Sequence, residues 1–446
     1  PIVSSIIGYT SRVGEDDFKK YPNVYSPKDY VGKTGIEKNY EEFLRKKPGE
    51  MKIERDVKGN VKSKEIASLP ESGKSLVLWL DADLQRKSLE ALRQELLQLG
   101  SSKGAIVAMD PNTGGILAMV SLPNFDNNLF SRGADPDVLK SLFEDAKNPL
   151  FNRAIAGQYP SGSTIKPLIA SAALQEKVIS PQKQIYSPGY IKIPHRYNPE
   201  IIYTFRDWTA HGWVDMEKAI AQSSNVYFYT VGGGYEDQKG LGPARIKKYL
   251  ELFGWGQKTN IDLPSENAGR IPSPEWKKEV KNESWWDGDT YNLSIGQGDL
   301  LVTPLQVAIS FSAIANKGKL LQPMVVKSVV DDQKKVIQEF QPTTIRDNFI
   351  DAAHLDVVRT GMRHAVTGED SPLASSIMLN TLPVSAAAKT GTAQTRIPEV
   401  YDNWVTVFAP YENPKIVLTV MLEDVRGMQA AALPVAKAIL EWYFSK

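Results

Sequence analysis

Tyr159-Pro160-Ser161-Gly162-Ser163-Thr164-Ile165-Lys166-Pro167 is the stretch on which the reading of this chain turns. Pro-Ser-Gly makes a turn that leads into Ser163, and Lys166 follows three residues later. If Ser163 opens a helix, positions three apart share a face, and the amine lies beside the hydroxyl. A serine hydroxyl is a poor nucleophile until a base takes its proton. Lysine serves as that base only where burial or nearby positive charge lowers its pKa. A helix N-terminus adds free N–H groups and a dipole that favour an oxyanion. Leu168 to Leu174 is apolar on several sides, with alanines at 170, 172 and 173. That pattern predicts a helix buried within a domain, which sets Ser163 at its N-terminus at the base of a cleft. By itself Ser-x-x-Lys is a common surface pair, so its meaning depends on partners elsewhere in the chain.

The partners are present. Ser223-Ser224-Asn225 supplies Ser-x-Asn, and Lys389-Thr390-Gly391-Thr392 supplies Lys-Thr-Gly-Thr. In this order the three motifs form the signature of penicillin-binding proteins and serine β-lactamases. Their chemistry points to acyl transfer through a serine ester. Ser163 attacks a carbonyl, Lys166 is the base, and Lys389 supplies positive charge. Thr390 and Thr392 offer hydroxyls to a carboxylate, and small residues on either side of Lys389 let a ligand lie against strand backbone. Ser223 and Asn225 read as a proton-relaying hydroxyl and a substrate-gripping amide rather than as helix caps. Rival arrangements fail. Ser161, not glycine, stands two residues before Ser163, which excludes a Gly-x-Ser-x-Gly elbow, and none of the four histidines has a spacing that marks a Ser-His-Asp partner. An earlier Lys33-Thr34-Gly35 reads as a helix start, with Thr34 and Glu37 forming a capping box. Gly296 and Gly298 lack the context of a phosphate loop.

The chain has 446 residues, 42% hydrophobic and 24% charged, which suits two globular domains. Lys+Arg 53 against Asp+Glu 52 leaves a net charge of +1, so nothing electrostatic argues for nucleic acid. With no cysteine, disulfides and thiolate metal sites are excluded. No apolar run reaches the roughly eighteen residues of a membrane span, and the opening Pro1 reads like mid-protein sequence whose upstream part, anchor included, is missing. Residues 1–72 are polar and loop-rich and read as a small accessory domain, with a hairpin around Lys58-Gly59-Asn60. From 73 to 446 the pattern is α+β. A strand over 75–80 precedes a helix capped by Asp81, then a hairpin turning at Pro111-Asn112-Thr113-Gly114. Residues 185–215 and 262–290 read as loops. Asp207 and His211, four apart, read as surface polar residues rather than metal ligands. A helix follows Thr303-Pro304, and a last hairpin and an apolar helix close the chain. An N-terminal strand, that hairpin and the final helix are expected to combine into one sheet arrangement.

Over essentially its whole length the sequence resembles the class B penicillin-binding proteins, in particular the elongation type. The three motifs carry the resemblance. So do Tyr30 to Arg45, similar to the family's N-terminal pedestal, and Asp81-Ala82-Asp83-Leu84-Gln85 with Asp110-Pro111-Asn112-Thr113-Gly114, similar to the opening of its transpeptidase domain. Ser294-Ile295-Gly296-Gln297-Gly298 with Val302-Thr303-Pro304-Leu305-Gln306 favours the elongation type over the division type. The resemblance implies a penicillin-binding fold, an antiparallel sheet flanked by helices, preceded by a partial pedestal. It implies a peptidoglycan D,D-transpeptidase in which Ser163 attacks the D-Ala-D-Ala bond of a stem peptide. Ser223 then assists the leaving group, Asn225 holds the peptide amide, and Lys389, Thr390, Gly391 and Thr392 bind the terminal carboxylate. The backbone N–H groups of Ser163 and Thr392 form the oxyanion hole. It further implies acylation by β-lactams, a membrane anchor upstream with the catalytic domain outside the cytoplasm, a membrane peptidoglycan polymerase as partner, and no cofactor. Some relatives hold a metal through Asp, His and Cys; Asp207 and His211 match two such positions, but without the cysteine no metal is expected. A D,D-carboxypeptidase, a serine β-lactamase and a non-catalytic scaffold are the alternatives. No Glu-x-x-Leu-Asn of a class A β-lactamase follows Ser-x-Asn, and the intact motifs argue against the scaffold.

Overall fold

The computed structural model describes residues 2–446 except 23, 132 and 196. Its centre is a five-stranded antiparallel sheet and the helices on both of its faces. In chain order these elements are α1 (Ala82–Gln98), β1 (Gly104–Met109), β2 (Ile116–Leu122), α2 (Lys166–Gln175), α3 (Met216–Ala221), α4 (Asn225–Gly233), α5 (Pro304–Ala315), α6 (Ala352–Thr367), β3 (Ala387–Gln394), β4 (Val400–Ala409), β5 (Ile416–Arg426) and α7 (Leu433–Phe444). The strands run in the order β3-β4-β5-β1-β2. The hairpin at 111–114 and the last hairpin of the chain are therefore joined edge to edge through the β5–β1 pair, Val417 opposite Met109 through Leu422 opposite Gly104.

Alternation along the strands divides the core into two layers. Ile106, Ala108, Val405, Val407, Leu418 and Val420 face α1 and α7, where Leu84, Leu89, Leu92 and Leu96 meet Val435, Ile439 and Leu440. Ala105, Val107, Met109, Trp404, Val417 and Met421 face the opposite layer, which holds α2 and α5. These helices read from sequence as expected because their ends carry explicit signals. Asp81 accepts from the N–H groups of Asp83 and Leu84, and Thr303 with Gln306 closes a capping box ahead of Pro304.

Several expectations are corrected. Ser75–Leu78 does not join the central sheet; it pairs with Val326–Val330 in a separate sheet. Residues 185–215 are not loops. Ile185–Ser187 pairs with Gly212–Val214, and Tyr190–His195 with Asn198–Arg206. In two-stranded ribbons every strand is an edge, so Pro194 breaks nothing. Within 262–290, Ser273 caps a helix Pro274–Lys281, and Asp287–Ser294 forms another. Thr34 stands at the N-cap of Gly35–Asn39 without a side-chain cap bond; the segment is held instead by backbone, Lys33 N–H donating to Tyr9 O at 2.9 Å. A further correction, Asp207 and His211, belongs to the site below.

Residues before Ser75 pack on the larger region through specific polar contacts. Tyr40 donates to Asp262 Oδ2 at 2.9 Å, while Asp262 also accepts from Val325 and Val326 N–H at 2.7 and 2.9 Å. The ribbon Glu50–Arg55 with Val61–Ser68 is exposed along its whole length. Among the described residues no helix is long and apolar enough to cross a membrane.

An acidic group is buried within the central sheet. Asp402 on β4 is 5% exposed and its Oδ1 accepts from Asp424 N–H at 3.1 Å. Burial, with Asp424 and Glu423 adding to it, pushes its carboxyl up to about 7. The folded chain thus keeps a proton that the unfolded chain loses near pH 4, and stability falls as pH rises from about 4 to 7. Asp402→Asn should be more stable than wild type at pH 8 by on the order of 2 kcal/mol, with a smaller gap at pH 5. Denaturant unfolding at both pH values measures this, and a gap independent of pH contradicts it.

Candidate active site

The nucleophile segment lies where three backbones meet. Tyr159 and Val302 exchange N–H···O=C bonds at 2.9 Å, and Trp404 Nε1 on β4 donates to Pro160 O at 3.1 Å. Gly162 N–H donates to Gly296 O at 3.0 Å. A Cβ on Gly296 would stand 2.1 Å from Gly162 O, and one on Gly391 would stand 2.9 Å from Ser161 O. Glycine at these two positions lets the Ser-Ile-Gly-Gln-Gly loop and β3 close on the turn from two sides. Gln297 Nε2 reaches across to Thr392 O at 3.4 Å.

Ser163 lies within a single 3₁₀ turn, Gly162–Ile165, and α2 begins only at Lys166. The serine therefore precedes the helix it was expected to open. Among the described residues its hydroxyl makes no hydrogen bond, and it lines the cleft. Lys166 is wholly buried. Its Nζ donates to Ser223 O at 2.6 Å and Asn225 Oδ1 at 2.7 Å, and lies 3.2 Å from Ser223 Oγ. Lys389 on β3 is equally buried, and its Nζ lies 2.8 Å from the same Ser223 Oγ and 2.9 Å from Thr390 O. The Ser223 hydroxyl thus bridges two amines. Ser223 adopts φ +58° in the turn between α3 and α4, which aims its side chain at the lysines. Burial pushes the Lys166 amine down to about 7, opposed by the charge of Asp207. Burial first, and the neighbouring Lys166 charge second, hold Lys389 well below the ordinary lysine value. The hydroxyl accepts from either amine, and it donates to one that has given up a proton and carries a lone pair.

The cleft encloses about 1000 Å³ and is lined by Ser163, Ser223, Asn225, Thr390, Gly391 and Thr392, among others. Every residue the motifs singled out is thereby brought to one cavity or its floor, although 57 residues separate Lys166 from Ser223 and 166 separate Ser223 from Lys389. The motifs missed Asp207, Gln297 and Trp404. Gln297 carried a signal in its glycine-flanked motif; the other two gain their roles only through burial.

Asp207 and His211 are not surface residues: both side chains are fully buried, with His211 Nε2 3.5 Å from Asp207 Oδ1. Asp207 Oδ2 accepts from Ser224 Oγ and from Val226 N–H, each at 2.9 Å. As a metal site the arrangement falls short. The described residues hold no group of three or more His, Cys, Asp or Glu able to share an ion, and a protein metal site needs three or four ligands.

Comparison with known proteins agrees with this geometry. The penicillin-binding protein transpeptidase domain model matches residues 104–441, and the penicillin-binding protein dimerisation domain model matches residues 1–78. The chain belongs to the penicillin-binding protein transpeptidase family. Its relatives place it among class B proteins of the PBP2 type. It is 34% identical to the peptidoglycan D,D-transpeptidase MrdA of Haemophilus influenzae, over all of this chain and 68% of that protein. It is 31% identical to MrdA of Escherichia coli K12, over 95% of this chain and 67% of that one. Pseudomonas aeruginosa PBP2, solved in complex with WCK 5153, superposes with a TM-score of 0.83 at 33% identity, covering 100% of this chain and 89% of the other. Helicobacter pylori PBP2, solved in complex with MreC, gives a TM-score of 0.83 at 30% identity, covering 100% and 77%. The chain spans about two thirds of the length of the curated relatives it matches.

Gly296→Ala tests the close approach. A Cβ there, at φ +75°, has no room beside Gly162, so acylation of Ser163 should fall by about 10²-fold or more as the turn shifts. The rate of labelling by a fluorescent penicillin, with circular dichroism as the check on folding, measures it.

Proposed function

We propose that this chain crosslinks peptidoglycan as a serine D,D-transpeptidase of the elongation type. The observation that carries this reading is the Ser223 hydroxyl held between Lys166 and Lys389 beneath the cleft that Ser163 and the Lys-Thr-Gly strand line. The relatives named as peptidoglycan D,D-transpeptidases support it.

The stem peptide lies along β3. Its terminal carboxylate binds the hydroxyls of Thr390 and Thr392 near the Lys389 amine, and Gly391 keeps the strand surface open to it. Asn225 holds the peptide amide. Lys166, in its neutral form, takes the proton of Ser163 as Oγ bonds to the carbonyl carbon of the penultimate D-alanine. The N–H groups of Ser163 and Thr392 bind the oxyanion. As the C–N bond breaks, a proton passes through Ser223 to the departing D-alanine amine. An amine from a neighbouring strand then attacks the ester, loses a proton by the same route, and frees Ser163. A β-lactam enters the first half of this sequence and stays, because its ring-opened acyl group presents no amine leaving group that departs. For localisation, the reading carries an upstream membrane anchor and a catalytic domain outside the cytoplasm. A peptidoglycan polymerase and a scaffold of the MreC kind are the partners it implies, on the precedent of the Helicobacter pylori complex and of a similar chain solved in a peptidoglycan synthase complex.

Ser163→Ala should abolish penicillin labelling, by about 10⁴-fold or more in rate, while leaving the unfolding midpoint nearly unchanged. Intact mass and peptide mapping locate the adduct; labelling retained in this variant refutes the assignment. A wild-type adduct lost within minutes would mark a β-lactamase instead.

The pH dependence follows from the base. With the Lys166 amine pushed down to about 7, its neutral fraction grows as pH rises through that value. The second-order acylation rate should therefore climb about tenfold from pH 6 to 8 and then level. A rate that stays flat between pH 6 and 8 would remove Lys166 from the role of base.

A further inference from the structure

We propose that Asp207 is a positioning residue for this acyl-transfer site: its buried carboxylate fastens the Ser223–Asn225 turn and supplies a negative charge that favours the protonated form of the buried Lys166. The inference rests on the reading of Lys166 as base.

The geometry has two halves. The first is mechanical. Asp207 Oδ2 accepts from Ser224 Oγ, the middle residue of Ser-x-Asn, and from Val226 N–H at the start of α4. One oxygen therefore holds the residue between Ser223 and Asn225 and the first turn of the helix that Asn225 opens. Those two flanking residues are the ones that Lys166 touches. A carboxylate at a helix N-terminus also sits at the favourable end of the dipole.

The other oxygen, Oδ1, accepts from Trp208 N–H at 2.9 Å, and behind it packs His211. Its Nδ1 meets the Gln222 side-chain amide at 2.9 Å, and its Nε2 faces Asp207. The carboxyl, although burial raises it, is held below the ordinary aspartate value by His211, by the charge of Lys166 and by the N–H groups. It stays ionised at neutral pH.

The second half is electrostatic. Asp207 is the one acidic residue among those lining the described cleft. The charged and titratable groups around it are few. Lys166 is coupled to it and His211 stands 3.5 Å away; the Tyr229 phenol is raised by burial and by the Asp207 charge; Arg206 lines the cleft wall. The Phe228 ring lies 5.6 Å from Lys166 Nζ and carries no net charge. Burial disfavours the charged form of Lys166, and Asp207 is the group that opposes it. Without that carboxylate the amine would lose its proton at lower pH and return it less readily to the leaving group.

The full chain, labelled with a fluorescent penicillin from pH 5 to 9, tests this with three variants. In Asp207→Asn the plateau rate should fall about tenfold or more and the acid limb should move down by at least about 0.5 pH unit. In Ser224→Ala, which loosens the turn but keeps the charge, the plateau should fall and the limb should stay. Asp207→Glu keeps the charge on a longer arm, so its limb should match wild type while its plateau falls. An unmoved limb in Asp207→Asn overturns the proposal, whatever its plateau does. If that variant fails to fold by circular dichroism, Asp207→Glu decides, and an unchanged plateau there overturns it. A wild-type chain that forms no adduct on Ser163 would instead sink the functional reading on which the proposal stands.

Discussion

Two lysine side chains without solvent exposure share one serine hydroxyl, and much of the molecule can be understood as the means of keeping them there. Moving an ammonium out of water is costly unless the group is paired or gives up its proton. Here both routes operate. Ser223 O, Asn225 Oδ1 and Thr390 O accept from the amines, and burial drives both lysines toward neutrality. A base at neutral pH is thus a consequence of packing. The same burial that gives α2 its apolar surroundings makes Lys166 able to take a proton.

The arrangement depends on parts that come from distant stretches of chain. Lys166 is carried by a helix under the sheet, Ser223 by a left-handed turn between two helices, and Lys389 by the edge strand β3. Their mutual distances are fixed by the layer that holds α2, α4 and α6 against β3 and β4. An edge strand is a hazard when it is free, because its unpaired groups invite another chain. In this fold β3 borders the cleft, so in the proposed reading this edge is the surface on which an extended peptide lies. Small residues make that possible. Gly391 has no side chain to hold the nucleophile turn away, and Trp404 behind it anchors Pro160.

Much of the architecture was legible in one dimension. Helices with side-chain caps at Asp81 and Thr303 declare their starts, and the two hairpins of the sheet declare themselves by apolar runs around Pro- and Asn-bearing turns. Stretches read as loops failed for a physical reason: the ribbons of 185–215 are short and rich in aromatic and turn residues, and the alternation of Ile191, Lys192 and Ile193, the first of them buried, is too brief to stand out from them. The capping box at Thr34 failed because tertiary backbone contacts, not the side chain, fix that helix start. Ser75–Leu78 was correctly a strand but was assigned to the wrong sheet, since pairing partners leave no mark on a four-residue run.

At the active site the division is sharper. The sequence by itself determined the identities of the reacting groups, because chemistry demands a hydroxyl, amines and a carboxylate-binding strand, and each motif shows its residue types at short range. The turn and helix around Ser163 and Lys166 were readable for the same reason. Only the tertiary structure decided that Lys166 reaches Ser223 and Asn225, that Ser223 also serves Lys389, and that Asp207 and His211 lie buried behind the turn rather than on the surface. Those facts depend on desolvation and on distances between segments far apart in the chain. Neither quantity exists until the chain has folded.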